Sequence, residues 1–228
     1  MGYVFDPAAQ ASLAVKGSKK RFPVRRVFCV GRNYGAHARE MGHDPEREPP
    51  FFFTKPGDAV FDMPEQLPYP PETKDFHHEI ELVVLIGKEG SNIDVEQASQ
   101  HIYGYCVGLD MTRRDLQAAA KKLGRPWDWG KAFDYSAPCG PVHRVAETGL
   151  IQTGAIWLSV NDDSRQKGDI GDLIWSVPDV IKIISQSMVL RAGDVIMTGT
   201  PAGVGPVVQG DKITAGIDRL GQIETILR

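Results

Sequence analysis

Glu79 and Glu81 stand two residues apart in the run His77-His78-Glu79-Ile80-Glu81-Leu82-Val83-Val84-Leu85-Ile86, closed by Gly87. The valines, isoleucines and leucines predict a strand. Side chains two apart on a strand leave the same face, so the two glutamates point together while Ile80 and Leu82 turn the other way. Two carboxylates side by side in an apolar segment repel each other and are costly to bury unpaired. A divalent cation removes that cost. Asp110 closes a second apolar run, Ile102 to Leu109, and offers a third oxygen ligand. Three carboxylates without a cysteine suit Mg²⁺ or Mn²⁺ better than zinc. The competing reading places both glutamates on the solvent face of a half-exposed sheet. His77 shares parity with Glu79 and is a conceivable fourth ligand or a packed histidine. His37 and Glu40, three apart, share one face of a helix and read as a solvated pair.

The elements that must position these groups follow from local pattern. Val24 to Val30 is a predicted strand, turning at Gly31-Arg32-Asn33-Tyr34-Gly35 into a short helix from Tyr34 to Met41. Phe51 to Lys55 is a strand, and the proline-rich run from Pro64 to Pro71 is irregular. Asp94 to Gln100 is a short helix. Thr112, with Asp115 three residues on, has a capping-box pattern at the head of a helix that Gly124 stops. Leu116, Ala119, Ala120 and Leu123 form its apolar face; Arg114 and Gln117 share another. Further on, strands are predicted from Ala155 to Asn161, from Val195 to Thr198, from Lys212 to Ile217 and from Gln222 to Leu227. Val177 to Met188 reads as an amphipathic helix.

The 228 residues suffice for a sizeable hydrophobic core. A net charge of -3 gives no reason to expect a nucleic-acid or anionic-membrane partner. No apolar run approaches the roughly 20 residues of a membrane span, and the N-terminus lacks the apolar core of a signal peptide. Cys29, Cys106 and Cys139 are odd in number and share no metal-binding spacing. They read as reduced thiols of a cytoplasmic protein. Residues 1–23 are expected to be a short leader, and the length suits one large domain or two small ones.

Five blocks occur in order: Val30-Gly31-Arg32-Asn33-Tyr34, His78-Glu79-Ile80-Glu81, Leu109-Asp110-Met111-Thr112-Arg113-Arg114-Asp115, Lys131-Ala132-Phe133-Asp134 and Gly199-Thr200-Pro201-Ala202-Gly203-Val204-Gly205. Together they resemble the fumarylacetoacetate hydrolase superfamily, over about residues 24 to 227. Within it, Arg125-Pro126-Trp127-Asp128-Trp129 and the stretch from Asp44 to Phe53 look most like the bacterial fumarylpyruvate hydrolases of gentisate breakdown. The glycine-rich loop lacks the Gly-Lys-Ser/Thr of a P-loop, and no Gly-x-Ser-x-Gly elbow supports a serine hydrolase.

The resemblance implies that 24–228 form one catalytic domain with a mostly β (α+β) fold, a rolled, barrel-like sheet and few short helices, and a homodimer. It implies Mg²⁺ or Mn²⁺ on Glu79, Glu81 and Asp110, and a catalytic pair in which Glu40 orients His37. It implies that Lys131 meets developing negative charge, that Gln117 and Thr200 hydrogen-bond the keto-acid end of a substrate, and that Arg32 and Arg114 stand near it. Arg113 and Lys55 are either solvated or partners of a distal carboxylate. The expected reaction is hydrolysis of a 2,4-diketo acid, most similar to 3-fumarylpyruvate cleavage into fumarate and pyruvate. Alternatives are oxaloacetate decarboxylation or general acylpyruvate cleavage, dienoate isomerisation or hydration, and a non-catalytic metal-binding scaffold.

Overall fold

Two apolar strands form the spine of the molecule, a computed structural model that describes residues 2–35 and 49–228. Ile80–Ile86 and Ile102–Leu109 pair antiparallel, with Ile80 opposite Leu109 and Glu81 opposite Gly108. Every residue of Ile80–Ile86 is buried, which is why the run is apolar on both faces of the pleat. Ile80, Leu82, Val84 and Ile86 enter the larger core. Val83 and Leu85 enter a smaller one on the other face, the face to which Glu81 belongs by parity.

Around this pair the large sheet runs in the order Phe51–Lys55, Val27–Gly31, Val195–Met197, Ile80–Ile86, Ile102–Leu109, Ala137–Cys139, Val60–Asp62. A second sheet, Asp163–Asp169, Ala155–Val160, Lys212–Ile217, Gly221–Leu227 and Gln66–Leu67, brings Ile156, Leu158, Ile213 and Ala215 into the larger core. The helix Val177–Ser187 packs there through Val180, Ile181 and Ile184, each burial contributing roughly 1.5–3 kcal/mol. Its start is fixed by a capping box between Ser176 and Asp179. Met188, expected as its last residue, has left the helix with extended backbone. The expected mostly β, rolled fold is what the chain adopts. The helix expected from Tyr34 to Met41 lies, past Gly35, outside the described residues.

Three local expectations are corrected. The strand predicted over 77–86 is two strands, Phe76–His78 and Ile80–Ile86. His77 pairs with Thr112 and Pro206 in a three-stranded sheet, while Ile80 belongs to the large sheet, so the chain changes sheets at Glu79. Thr112 does not cap the helix that follows, Arg114–Lys122, which begins without a side-chain cap. Its hydroxyl donates to the Asp110 carbonyl at 3.0 Å, and Asp115 accepts from Thr73 Oγ1 at 2.7 Å and Lys74 N at 2.9 Å instead. Thirdly, Leu116, Ala119, Ala120 and Leu123 are not packed on the core. With Pro126 and Trp129 they line a surface cavity, and Leu123 and Trp129 are largely exposed. The helix does end at Gly124, in the left-handed region at φ +61°.

The segment before Val24 contributes a hairpin, Ser12–Ala14 with Arg21–Pro23. Its Leu13 and Phe22 pack into the smaller core beside Cys29, Cys106 and Cys139, all three buried free thiols. Among the described residues no helix is long and apolar enough to cross a membrane.

Candidate active site

The sheet change at Glu79 places that residue at the end of the spine, beside Asp110, whose backbone N–H donates to the Glu79 carbonyl at 2.8 Å. Glu81, one pleat further in, turns to the same side. The three carboxylates offer ligand oxygens that all lie within 4.8 Å of one another, and their exposures are 5, 2 and 0%. This is the arrangement that strand parity predicts and the solvent-face reading excludes. A neighbouring turn closes the site from the side. Asn33, fully buried, donates to the carbonyls of Trp175 and Thr198 at 2.9 and 2.8 Å, tying the Val30–Tyr34 turn to the strand end before Gly199. Gly199 has φ +100°, and a Cβ there would lie 2.8 Å from Asn33 Cβ. Only glycine fits this close approach, and its N–H donates to Glu81 Oε2 at 2.8 Å.

Three cations hold two of the carboxylates, Glu79 and Asp110. Lys131 Nζ lies 2.9 Å from Glu79 Oε2 and 2.7 Å from Asp110 Oδ2. Burial pulls this ammonium down, but the charges of Asp110 and Glu79 outweigh it and hold Lys131 above its ordinary value. Arg114 is committed through all three of its nitrogens: Nη2 to Glu79 Oε1, Nη1 to Gln117 Oε1 at 2.6 Å, and Nε to His77 Nδ1 at 3.3 Å. Lys55 Nζ approaches Asp110 Oδ1 to 2.9 Å but donates to the carbonyls of Lys131 and Met111. Asp110 Oδ1 is thus in ion-pair range yet accepts no hydrogen bond.

Glu81 has no cation partner among the described residues. Burial first, then the charges of Asp110 and Glu79, push its carboxyl well above the usual carboxylate range. A buried, oxygen-only donor set with one orphaned oxygen and one carboxylate whose ionisation is disfavoured fits a hard divalent cation.

A second network lies behind the site. Gln166 Oε1 accepts from Ile80 N at 3.1 Å and from His78 Nδ1 at 3.0 Å, which puts the imidazole proton on Nδ1. Burial lowers His78 to about 4, keeping the ring neutral. Gln166 Nε2 donates to Thr200 Oγ1 and to the Pro201 carbonyl, both at 2.8 Å. Because Thr200 Oγ1 accepts from Gln166, its own hydrogen remains to donate into the pocket that it lines.

The match to known proteins is extensive. Residues 26–228 match the model of the fumarylacetoacetate (FAA) hydrolase C-terminal family. The chain belongs to the fumarylacetoacetate hydrolase family. The family's fumarylpyruvate hydrolase from Pseudomonas aeruginosa, solved in complex with Mn²⁺ and pyruvate, is 52% identical, with a TM-score of 0.98 over 99% of both chains. A fumarylpyruvate hydrolase from a Ralstonia species is 42% identical over 79% of this chain and 93% of its own length. The oxaloacetate tautomerase YcgM of Escherichia coli K12 is also 42% identical, over 89% of this chain and 93% of its own.

For this family member the pocket gathers most of the residues singled out from sequence. Glu79, Glu81, Asp110, Arg32, Arg114, Gln117, Lys131 and Thr200 all line it. His77 is no ligand: it accepts from Arg114 and meets Asp75 at 2.8 Å. Lys55 is buried against Asp110 and so is not solvated. Arg113 lies over the Phe133 ring at 4.3 Å, away from the pocket. His37 and Glu40 lie outside the described residues. Sequence reasoning missed Gln166 and Lys121. Gln166 is the one fully buried residue of a strand otherwise rich in charged side chains. Lys121 continues the spacing of Arg114 and Gln117 along their helix, a signal the sequence did carry.

Proposed function

We propose that the protein hydrolyses 3-fumarylpyruvate to fumarate and pyruvate. The observation that carries this reading is the buried Glu79, Glu81, Asp110 triad in a chain that superimposes at TM-score 0.98 on a fumarylpyruvate hydrolase holding Mn²⁺ and pyruvate. Mg²⁺ or Mn²⁺ on that triad supplies Lewis-acid stabilisation to the keto-acid oxygens. Charge supports an anionic substrate: Lys131, Lys55 and Arg114 pair with Glu79 and Asp110, and Arg32 and Lys121 also line the pocket, so with a divalent cation bound the described residues leave a net positive site.

In this mechanism Gln117 and the Thr200 hydroxyl hydrogen-bond the pyruvyl carboxylate, with Arg114 and Arg32 beside them. His37, oriented by Glu40, takes a proton from water, and the water oxygen bonds to C4 of the substrate. Lys131 offsets the charge on the resulting oxyanion. The C3–C4 bond then breaks, its electron pair leaving on the pyruvyl fragment, which takes up a proton to give pyruvate. Water supplies the oxygen that appears in the new carboxylate of fumarate, and no covalent enzyme intermediate is needed.

The equal identity to the oxaloacetate tautomerase YcgM supports a second reading, enolisation of oxaloacetate at the same site without attack by water. The two differ in the fate of solvent oxygen. In H₂¹⁸O, hydrolysis places one ¹⁸O in the fumarate carboxylate, read by mass spectrometry. Absence of fumarate from fumarylpyruvate, with fast keto–enol exchange of oxaloacetate followed at the same time, sinks the hydrolase reading in favour of the tautomerase.

A further inference from the structure

Of the cations around the pocket, most are spoken for. Arg114, Lys131 and Lys55 are all paired with Glu79 or Asp110, as described above. Lys121 differs. It lines the same pocket, is itself exposed, and its Nζ makes no ion pair or hydrogen bond among the described residues. It projects from the last turn of the helix Arg114–Lys122. At 3.6 residues per turn, Arg114, Gln117 and Lys121 fall within one arc of that helix, opposite Leu116, Ala119 and Leu123. Arg114 and Gln117 stand at the triad end, so Lys121 stands two turns further out, about 10 Å along the axis.

The rim is electropositive at this point. Burial of its stem and the neighbouring charges of Arg32 and Arg114 lower the Lys121 ammonium from its ordinary value, so its charged form lacks stabilisation that an anion would supply. Arg32 is steered to the same rim by the Phe51 ring, 5.9 Å from its guanidinium, and Phe51 packs on Trp127 with ring centroids 4.8 Å apart. Phe53 and Trp127 also line the pocket, the Phe53 ring 5.1 Å from Lys131 Nζ and 5.7 Å from the Trp127 ring, so apolar rings run from the lysine beside the triad to the Phe51 that steers Arg32.

We infer that Lys121 is a specificity-determining residue that receives the distal carboxylate of a 2-oxo dicarboxylate whose keto-acid end lies at Glu79, Glu81 and Asp110. The assignment rests on the keto-acid reading of the site given above and adds the residue that meets the carboxylate at the far end of the substrate. It also accounts for a lysine left unpaired at a rim that already carries Arg32.

Two non-hydrolysable ligands of equal length test it: 2-oxoheptanedioate, and 2-oxoheptanoate, in which a methyl replaces the distal carboxylate. Binding to the full chain loaded with Mn²⁺ is measured by titration calorimetry. Wild type is expected to prefer the dicarboxylate about tenfold, the scale of one charge-assisted hydrogen bond. Lys121→Met brings that ratio close to one, and Lys121→Arg retains it. A ratio unchanged in Lys121→Met, or no preference in wild type, overturns the role of Lys121 while leaving the keto-acid reading intact. Failure of both ligands to bind the Mn²⁺-loaded protein removes the keto-acid reading and this assignment with it.

Discussion

Glu81→Gln should stabilise the metal-free protein and destabilise it relative to wild type once Mn²⁺ is present. Glu81 is 2% exposed, and its oxygens reach within 4.8 Å of those of Glu79 and Asp110. At an effective dielectric of about 20, each such repulsion is worth roughly 3 kcal/mol. Lys131, which bridges the other two carboxylates, and the Gly199 N–H offset most of the pair, leaving about 2 kcal/mol of cost. Glutamine keeps the shape and the acceptor for Gly199 and removes the charge. A gain of that size raises the melting temperature by about 4–8 °C for a chain of this length. The sign of the pH dependence follows from the upward shift of Glu81. A carboxyl raised in the folded state costs nothing below its unfolded pKa, where it is protonated in both states. The cost grows as pH rises above about 4.3. The stability advantage of the variant is therefore largest at alkaline pH and vanishes in acid. Mn²⁺ at a hundredfold excess over its dissociation constant adds about 2.7 kcal/mol to wild type and much less to a variant with two carboxylate ligands, so the order inverts. Calorimetric melts at pH 8, with chelator or with Mn²⁺, read both arms. A variant less stable than wild type in chelator, or one that gains as much from Mn²⁺, would refute the reasoning.

Three further outcomes are expected. His37→Ala should bind Mn²⁺ like wild type while turnover falls by about 10²–10⁴, and loss of metal together with activity would assign His37 a structural role instead. Gln166→Leu leaves Ile80 N and Thr200 without their partners, so its melting point should fall by roughly 2–8 °C, from about 1–2 kcal/mol, and KM for the keto acid should rise while metal affinity stays put; an unmoved KM would detach Thr200 from substrate binding. Gly199→Ala forces a left-handed backbone and a contact with Asn33 at a cost of at least about 2 kcal/mol, measured by urea unfolding, and a variant as stable as wild type would show that the loop yields.

The site was legible where its logic is local to one strand. Parity alone paired Glu79 with Glu81, and the end of an apolar run pointed to Asp110. The break at Glu79 was not legible, because the alternation runs through it unaltered and only the partners of His77 and Ile80 reveal two sheets. Thr112 and Asp115 match a capping box in type and spacing, yet both are claimed by other segments, Thr112 by His77 in the small sheet and Asp115 by Thr73 and Lys74. Tertiary pairing overrode the local pattern. The helix Arg114–Lys122 inverted the usual inference: its polar face turns inward to a charged pocket, and its apolar face opens on a surface cavity. Gln166 escaped notice since its partners Ile80, His78 and Thr200 lie 34 to 88 residues away.

A divalent cation at Glu79, Glu81 and Asp110 is the element that cleavage of a diketo acid most directly requires here. The decisive measurement is the loss of 3-fumarylpyruvate absorbance by chelator-stripped protein, before and after Mn²⁺ or Mg²⁺ is restored, with fumarate and pyruvate quantified. Negligible turnover when stripped, and fast turnover with equimolar fumarate and pyruvate on adding metal, is the predicted result. Undiminished turnover in the stripped protein, or no fumarate under any metal condition, would contradict it.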